Sequence, residues 1–324
     1  MNRNSFENWL EVLKAQNDIV LFSHVNPDGD TTGATLGLRL ALLALGKRVR
    51  LICDGTVPET MRFLEGSGEY HRPEEAEHWE IPAALAVDAA SADMLGAARP
   101  LFERAAIRLV IDHHPTNPAY GQENFLRPGE AATCLLAYEA IRALGVTITP
   151  EMGTCLMLGM STDTGHFQYS YTSPAILRAA ADLVELGVSL SDISRRMYRS
   201  QPMRKLLLTR IALENLRYFY DDQMALIVLN KAAYDETGCS FGEADGIVNQ
   251  GLEVEGVRFA FMLSERPDGI KVSMRSVEPD TVNDIAFALG GGGHAQAAGC
   301  TLHMSLEEAE HVLLSRVGQK VKGA

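Results

Sequence analysis

Apolar residues along the chain fall into two recurring patterns. Phe6, Trp9, Leu10 and Leu13 sit at helical spacing and predict an amphipathic opening helix. Ile19, Val20, Leu21 and Phe22 then form an unbroken apolar run of β-formers, the signature of a strand covered on both faces. That run stops at His24, Asp28 and Asp30, with Asn26, Pro27 and Gly29 forcing a turn between them. A largely apolar helix follows over residues 31–46. The strand–turn–helix pattern recurs at residues 48–54, 83–88 and 108–113. Its repetition predicts an α/β fold, with a mostly parallel sheet carrying helices on both faces.

Residues 133–145, 150–160, 174–187 and 191–218 read as further helices, the last interrupted by Gln201-Pro202. Beyond Tyr220 the pattern becomes strand-like at 224–229, 257–263 and 269–275, with helical segments at 242–250, 281–289 and 305–321. The expected organisation is a first domain over 1–200, a helical linker over 201–222, and a smaller α+β domain over 223–324. Phe167, Tyr169 and Tyr171 alternate as in a strand and either pack or stack on a base.

Three of the four early strands end on Asp or His. In open parallel sheets the ligand site lies outside the carboxyl ends of the strands, so His24, Asp88 and His113 can meet there. Asp28, Asp30, Asp112, His114 and Asp163 arrive at similar loop positions. Carboxylates gathered in this way need cations between them. Oxygen and imidazole donors without thiolate suit Mn²⁺, with Mg²⁺ as the alternative. The set exceeds the needs of one metal, and two ions ~3.5–4 Å apart suit in-line attack on phosphorus. Asp54, alone after its strand, reads as a cap or turn former, and Asp112 has the alternative of orienting a neighbouring histidine.

A second feature is the run Gly290-Gly291-Gly292-Gly293-His294, whose backbone N–H groups could cradle a phosphate. Arg275 could grip the same group bidentately.

The 324 residues are 46% hydrophobic and 22% charged, an ordinary globular composition. A net charge of -13 disfavours long nucleic acid, while a small anionic substrate stays compatible with a local cationic site. Five scattered cysteines without a Cys-x-x-Cys pair, and no apolar window of ~18 residues, suggest a soluble protein of a reducing cytoplasm.

In order, His24-Val-Asn-Pro-Asp-Gly-Asp30, Val87-Asp88, Asp112-His113-His114, Ser161-Thr-Asp163-Thr-Gly and Gly290-Gly-Gly-Gly-His-Ala-Gln-Ala-Ala-Gly299 resemble the successive motifs of the DHH/DHHA1 phosphoesterases. Within that family the chain is similar to the two-domain oligoribonucleases, or nanoRNases. The resemblance implies one metal on His24, Asp28 and Asp88, and another on Asp30, Asp88, His113 and Asp163. It places His114, with Asp112 beside it, at the scissile phosphate, and Arg275, Gly291, Gly292, Gly293 and His294 on the substrate's phosphate. His166 gains no role from it. Implied substrates are short oligoribonucleotides and phosphoadenosine phosphate. Linear or cyclic dinucleotides, or a non-catalytic nucleotide-sensing role, remain as alternatives, and a homodimer is compatible with the chain. The basic second-domain signature of a manganese pyrophosphatase is missing, as is the His-x-Glu and Pro-Cys-x-x-Cys pattern of a zinc deaminase.

Overall fold

The structure is a computed structural model that describes residues 5–293 and 295–322. Contacts divide the chain into two compact units that meet in sequence between Ser200 and Gln201.

The first unit contains α1 (Phe6–Ala15), β1 (Asp18–Phe22), α2 (Gly29–Ala44), β2 (Arg48–Ile52), β3 (Tyr70–His71), β4 (Ala83–Val87), α3 (Arg99–Glu103), β5 (Ile107–Asp112) and β6 (Glu123–Leu126). It continues through α4 (Thr133–Ala143), α5 (Pro150–Asp163), α6 (Pro174–Glu185) and α7 (Leu190–Ser194). Its six strands are all parallel, in the order β3-β2-β1-β4-β5-β6.

Alternation along the strands explains the two covered faces. Ile19, Leu21, Leu85, Val87, Leu109 and Ile111 pack in one core with residues of α1, α2, α4, α5 and α6. Val20, Phe22, Ala84, Ala86 and Val110 point the other way, into a core closed by Leu95, Leu101 and Phe102. Strand order reverses between β1 and β4, the switch point outside which such sheets hold ligands.

Helices α2 and α5 approach closely at one point. A Cβ on Gly33 would fall 2.3 Å from the Cys155 carbonyl oxygen, so a side chain there has no room.

The second unit comprises α8 (Met203–Glu214), β7 (Arg217–Phe219), β8 (Met224–Leu229), α9 (Lys231–Thr237), β9 (Phe259–Arg266), β10 (Gly269–Ser276), α10 (Asn283–Ala288), β11 (Gly292–Gly293), β12 (Ala297–Leu302) and α11 (Leu306–Lys322). Its sheet runs β11-β12-β10-β9-β8-β7, antiparallel except for the β8–β9 pair. Ile270, Val272 and Met274 pack with Leu313 and Val317 of α11, which leaves Lys271, Ser273 and Arg275 on the other face of β10.

Several expectations need correction. Residues 201–222 do not form a linker: Leu208, Ile211 and Ala212 of α8 are buried with Ala225 and Ile227, and β7 is a strand of the second sheet. The helical stretch expected over 191–218 is interrupted at Gln201-Pro202 as anticipated, Pro202 disfavouring continuation, but it ends at Glu214 rather than 218. Residues 242–250 span two 3-10 segments, Phe241–Ala244 and Ile247–Glu253, separated by a turn at Asp245 and Gly246. Phe167, Tyr169 and Tyr171 lie in turns, because the chain there is left-handed at His166 and Phe167. Among the described residues, no helix is long and apolar enough to cross a membrane.

Candidate metal centre

The loops after β1, β4 and β5 and the end of α5 bring the predicted residues of the first unit together. His24 Nε2 lies 3.7 Å from Asp28 Oδ2 and 3.9 Å from Asp88 Oδ2. His113 Nε2 lies 3.3 Å from Asp163 Oδ2, 3.6 Å from Asp88 Oδ1 and 3.9 Å from Asp30 Oδ2. Two donor sets, His24–Asp28–Asp88 and Asp30–His113–Asp163, each have ligand atoms within 4.8 Å of one another, and a third group, Asp88–His113–His114, overlaps them. Asp88 faces both, one oxygen to each.

Each carboxylate is held by the local fold. Asp28 caps α2, its Oδ1 accepting from the N–H groups of Asp30 (3.0 Å) and Thr31 (3.1 Å), while Oδ2 is the oxygen turned to His24. Capping and ligand geometry thus coexist in one side chain. Asp30 is fully buried and receives the N–H groups of Thr133 (2.6 Å) and Cys134 (2.8 Å) at the start of α4, where backbone donors and the helix dipole favour an anion. Asp88 follows β4 in a left-handed conformation (φ 57) and accepts from Thr133 Oγ1 at 2.8 Å. Asp54, by contrast, accepts from the Ala97 N–H at 2.7 Å and belongs to neither set.

The histidines are oriented just as specifically. His113 Nδ1–H donates to the Glu130 carbonyl at 2.8 Å, which turns the Nε2 lone pair toward three carboxylate oxygens. A lone pair facing carboxylates is repulsive until a cation lies between them, and a second bond from the far nitrogen is how ligating histidines are usually fixed. His114 Nδ1–H donates to Asp112 Oδ1 at 2.7 Å, and Asn117 Nδ2 donates to Asp112 Oδ2 at 2.6 Å. Asp112 is fully buried with both oxygens engaged, so it positions His114 and has no free edge for substrate.

The electrostatics point the same way. Burial, then the charges of Asp30 and Asp28, push Asp88 up to about 7. Burial, then Asp28, push Asp30 up to about 6, and Asp163 is likewise raised well above the usual carboxylate range by burial and its acidic neighbours. Asp28 goes the other way: burial opposes ionisation, but the His24 hydrogen bond and charge outweigh it and hold the carboxyl at about 2. Burial works against a charged His114, yet Asp112 and Asp88 raise it to about 9. Two carboxylate charges ~5 Å apart repel by about 3 kcal/mol at an effective dielectric of ~20, more than the ~1 kcal/mol of a neutral hydrogen bond. The backbone and Thr133 donors therefore do not offset full ionisation, whereas divalent cations do. The donor set fits them.

A pH dependence follows. In the metal-free protein, Asp88 and Asp30 keep protons above their ordinary value of 3.8 that the unfolded chain releases, so stability falls as pH rises between about 4 and 7. His114, raised from 6.5 to about 9, adds stability that is complete below 6.5 and lost as pH rises through 9. Cations compete with those protons. Calorimetry should show a larger Mn²⁺-induced rise in Tm near pH 8 than near pH 5, and equal rises would contradict carboxylate ligation.

In the second unit, Arg275 pairs in register with Ala297, and Gly293 with Ala298, so the arginine and the glycine segment flank one end of β12. The open cradle expected of the glycines is not what forms. Gly290 and Gly291 donate to the Phe287 and Ala286 carbonyls, and Gly292 and Gly293 pair with β12. Gly291 is required by close strand approach, since a Cβ there would fall 2.1 Å from the Gly299 carbonyl oxygen. His294 lies outside the described residues. Sequence reasoning missed Asn117 and Thr133. Thr133 carried one weak signal, its place at the start of a predicted helix; Asn117 carried none.

Comparison with known proteins extends the likeness to both units. The N-terminal domain of the DHH family matches residues 18–160, and the DHHA1 domain matches residues 223–323. A relative from Thermus thermophilus, named bifunctional oligoribonuclease and PAP phosphatase NrnA, is 35% identical over 97% of this chain and 94% of its own length. A Bacillus subtilis protein of the same name is 24% identical over 94% of this chain and 95% of its own. Among solved structures, an exopolyphosphatase-related protein from Bacteroides fragilis matches with a TM-score of 0.91 at 27% identity, over 98% of this chain and 95% of that one. With these matches along nearly its whole length, the chain belongs to the DHH family and carries a DHHA1 domain in its second unit.

Proposed function

We propose that the protein is a metal-dependent phosphoric ester hydrolase that cleaves short oligoribonucleotides and also acts as a PAP phosphatase. The observation that carries this reading is the pair of donor sets facing the two oxygens of Asp88 in a chain 35% identical to a protein named for both activities. His24, Asp28 and Asp88 would hold one cation, and Asp30, Asp88, His113 and Asp163 the other, with Mn²⁺ favoured over Mg²⁺ by the imidazole donors. When bound, such ions supply Lewis acidity, lowering the pKa of water and neutralising phosphoryl charge.

The chain's own residues do the rest. Asp112, braced by Asn117, fixes the His114 ring and keeps a proton on Nδ1, which leaves Nε2 to meet the phosphate. Its hydrogen bond to Asp112 favours the protonated ring, so His114 can stabilise phosphoryl oxygens or protonate the leaving oxygen. Arg275, beside the end of β12 that pairs with Gly292 and Gly293, would bind a terminal phosphate of the substrate together with His294, the glycines serving as the close-packed backbone that carries that histidine. The net charge of -13 works against long duplexes and leaves short substrates preferred. Cys53, Cys134, Cys155, Cys239 and Cys300 are free and buried, which suits a reducing cytoplasm.

The test is turnover with Mn²⁺ on synthetic di- to pentaribonucleotides, on a long RNA duplex and on PAP. The short substrates and PAP are expected to be consumed and the duplex spared. A fully metallated protein inert on every short substrate would sink the proposal.

A further inference from the structure

Helix α5 ends at Asp163, and the chain then runs through three consecutive left-handed residues, Gly165 (φ 56), His166 (φ 61) and Phe167 (φ 64). Two of them carry side chains that disfavour this backbone region, so other contacts must hold the turn. The Ser161 carbonyl accepts from His166 N–H at 2.6 Å, Thr164 Oγ1 accepts from Phe167 N–H at 2.9 Å, and the Thr164 carbonyl accepts from Gln168 and Tyr169 at 3.0 Å. Backbone strain of this kind concentrates at working sites.

The turn sorts the aromatic residues. Phe167 packs against the core, while Tyr169 and Tyr171 stay exposed at 41% and 38% with ring centroids 5.6 Å apart. The Tyr169 ring lies across Gly165, where a Cβ would fall 2.4 Å from it, so the backbone backs part of that ring. Tyr171 Oη donates to the Asp163 carbonyl at 3.0 Å, and the Asp163 carboxylate stands 3.3 Å from His113 Nε2. His166, bonded through Nδ1 to Ser161 Oγ at 2.9 Å, has its ring beside exposed Tyr198, 5.3 Å away between centroids. The surface thus starts at the backbone of a residue in the donor set.

We propose that the Tyr169–Tyr171 surface is a nucleobase-stacking subsite, taking the base of a nucleotide whose phosphate lies at the carboxylate–histidine cluster. It rests on the hydrolase reading for the nature of the substrate. A base one sugar removed from that phosphate would stack on a ring pair of which Tyr171 is bonded directly to the Asp163 backbone. Stacking accepts every base, because each has a π-face, so the subsite confers a preference for nucleotides without sequence specificity.

The test is calorimetric, with Mn²⁺-loaded protein titrated by adenosine 5′-monophosphate and by ribose 5-phosphate. Wild type is expected to bind the nucleotide at least about 10-fold more tightly than the sugar phosphate, within the range that base–aromatic stacking supports. Tyr169→Ala and Tyr169→Leu should bring the ratio near one, the leucine variant preserving apolar cover should alanine disturb the turn, and Tyr169→Phe should keep the preference. A wild type without that preference, or a preference surviving in both the alanine and leucine variants, overturns the subsite. Failure of the hydrolase reading looks different: no turnover of oligoribonucleotides, with the binding ratio and its loss in the variants intact.

Discussion

An Asp88→Asn enzyme should bind neither cation at normal affinity and should lose at least a hundredfold in activity, beyond the ~10–100-fold typical when only a ligand's supporting partner is changed. Among the described residues, Asp88 is the side chain that faces both donor sets, Oδ2 toward His24 at 3.9 Å and Oδ1 toward His113 at 3.6 Å. His24→Ala touches a single set and should leave one ion bound, so metal stoichiometry separates the two variants. Misfolding is excluded by a second measurement. Asp88 is buried, with its pKa raised to about 7, so near pH 8 the metal-free wild type carries an unfavourable charge that asparagine removes. The metal-free variant should therefore melt no lower than metal-free wild type near that pH, while losing the rise in Tm on adding Mn²⁺. Retention of both ions in Asp88→Asn would refute the shared ligand.

His114→Asn should show the complementary pattern: kcat down by ~10²–10⁴, the usual worth of a positioned acid or base, with both ions retained. The ring is bound through Nδ1 to Asp112 at 2.7 Å, an arrangement that presents the other nitrogen to substrate. The geometry also permits a different role, because Asp88, His113 and His114 place ligand atoms within 4.8 Å of one another. Metal analysis decides between them, since loss of an ion from His114→Asn would make that residue a ligand.

Much of this was readable from the chain because strand ends carry their chemistry in sequence. An apolar run followed within two residues by His24, or directly by Asp88, announces both the strand and the loop it delivers. Asp28 and Asp30, two residues apart, were both visible as candidate ligands, but nothing in that stretch alone assigned them to different donor sets. Asn117 and Thr133 could not, because each acts through a partner set by tertiary packing: Asn117 braces an aspartate five residues earlier, and Thr133 reaches Asp88 and Asp30 from another helix. The glycine run misled for a related reason. Free and paired N–H groups look identical in sequence, and the strand that pairs with Gly292 and Gly293 was hidden among small residues. The tyrosines after Asp163 alternate like strand residues, but backbone handedness, which the alternation of side chains does not report, puts them in a turn.

The close approach at Gly33 has a consequence for evolution. Asp30 lies one turn before Gly33 on α2, and Asp163 two turns beyond Cys155 on α5, so the two carboxylates are carried by helices in backbone contact. The separation of these two carboxylates, and with it the ionic radius they can hold, is a property of helix packing as much as of the ligands. A lineage could therefore retune cation size through the residues along that seam while every ligand stayed the same.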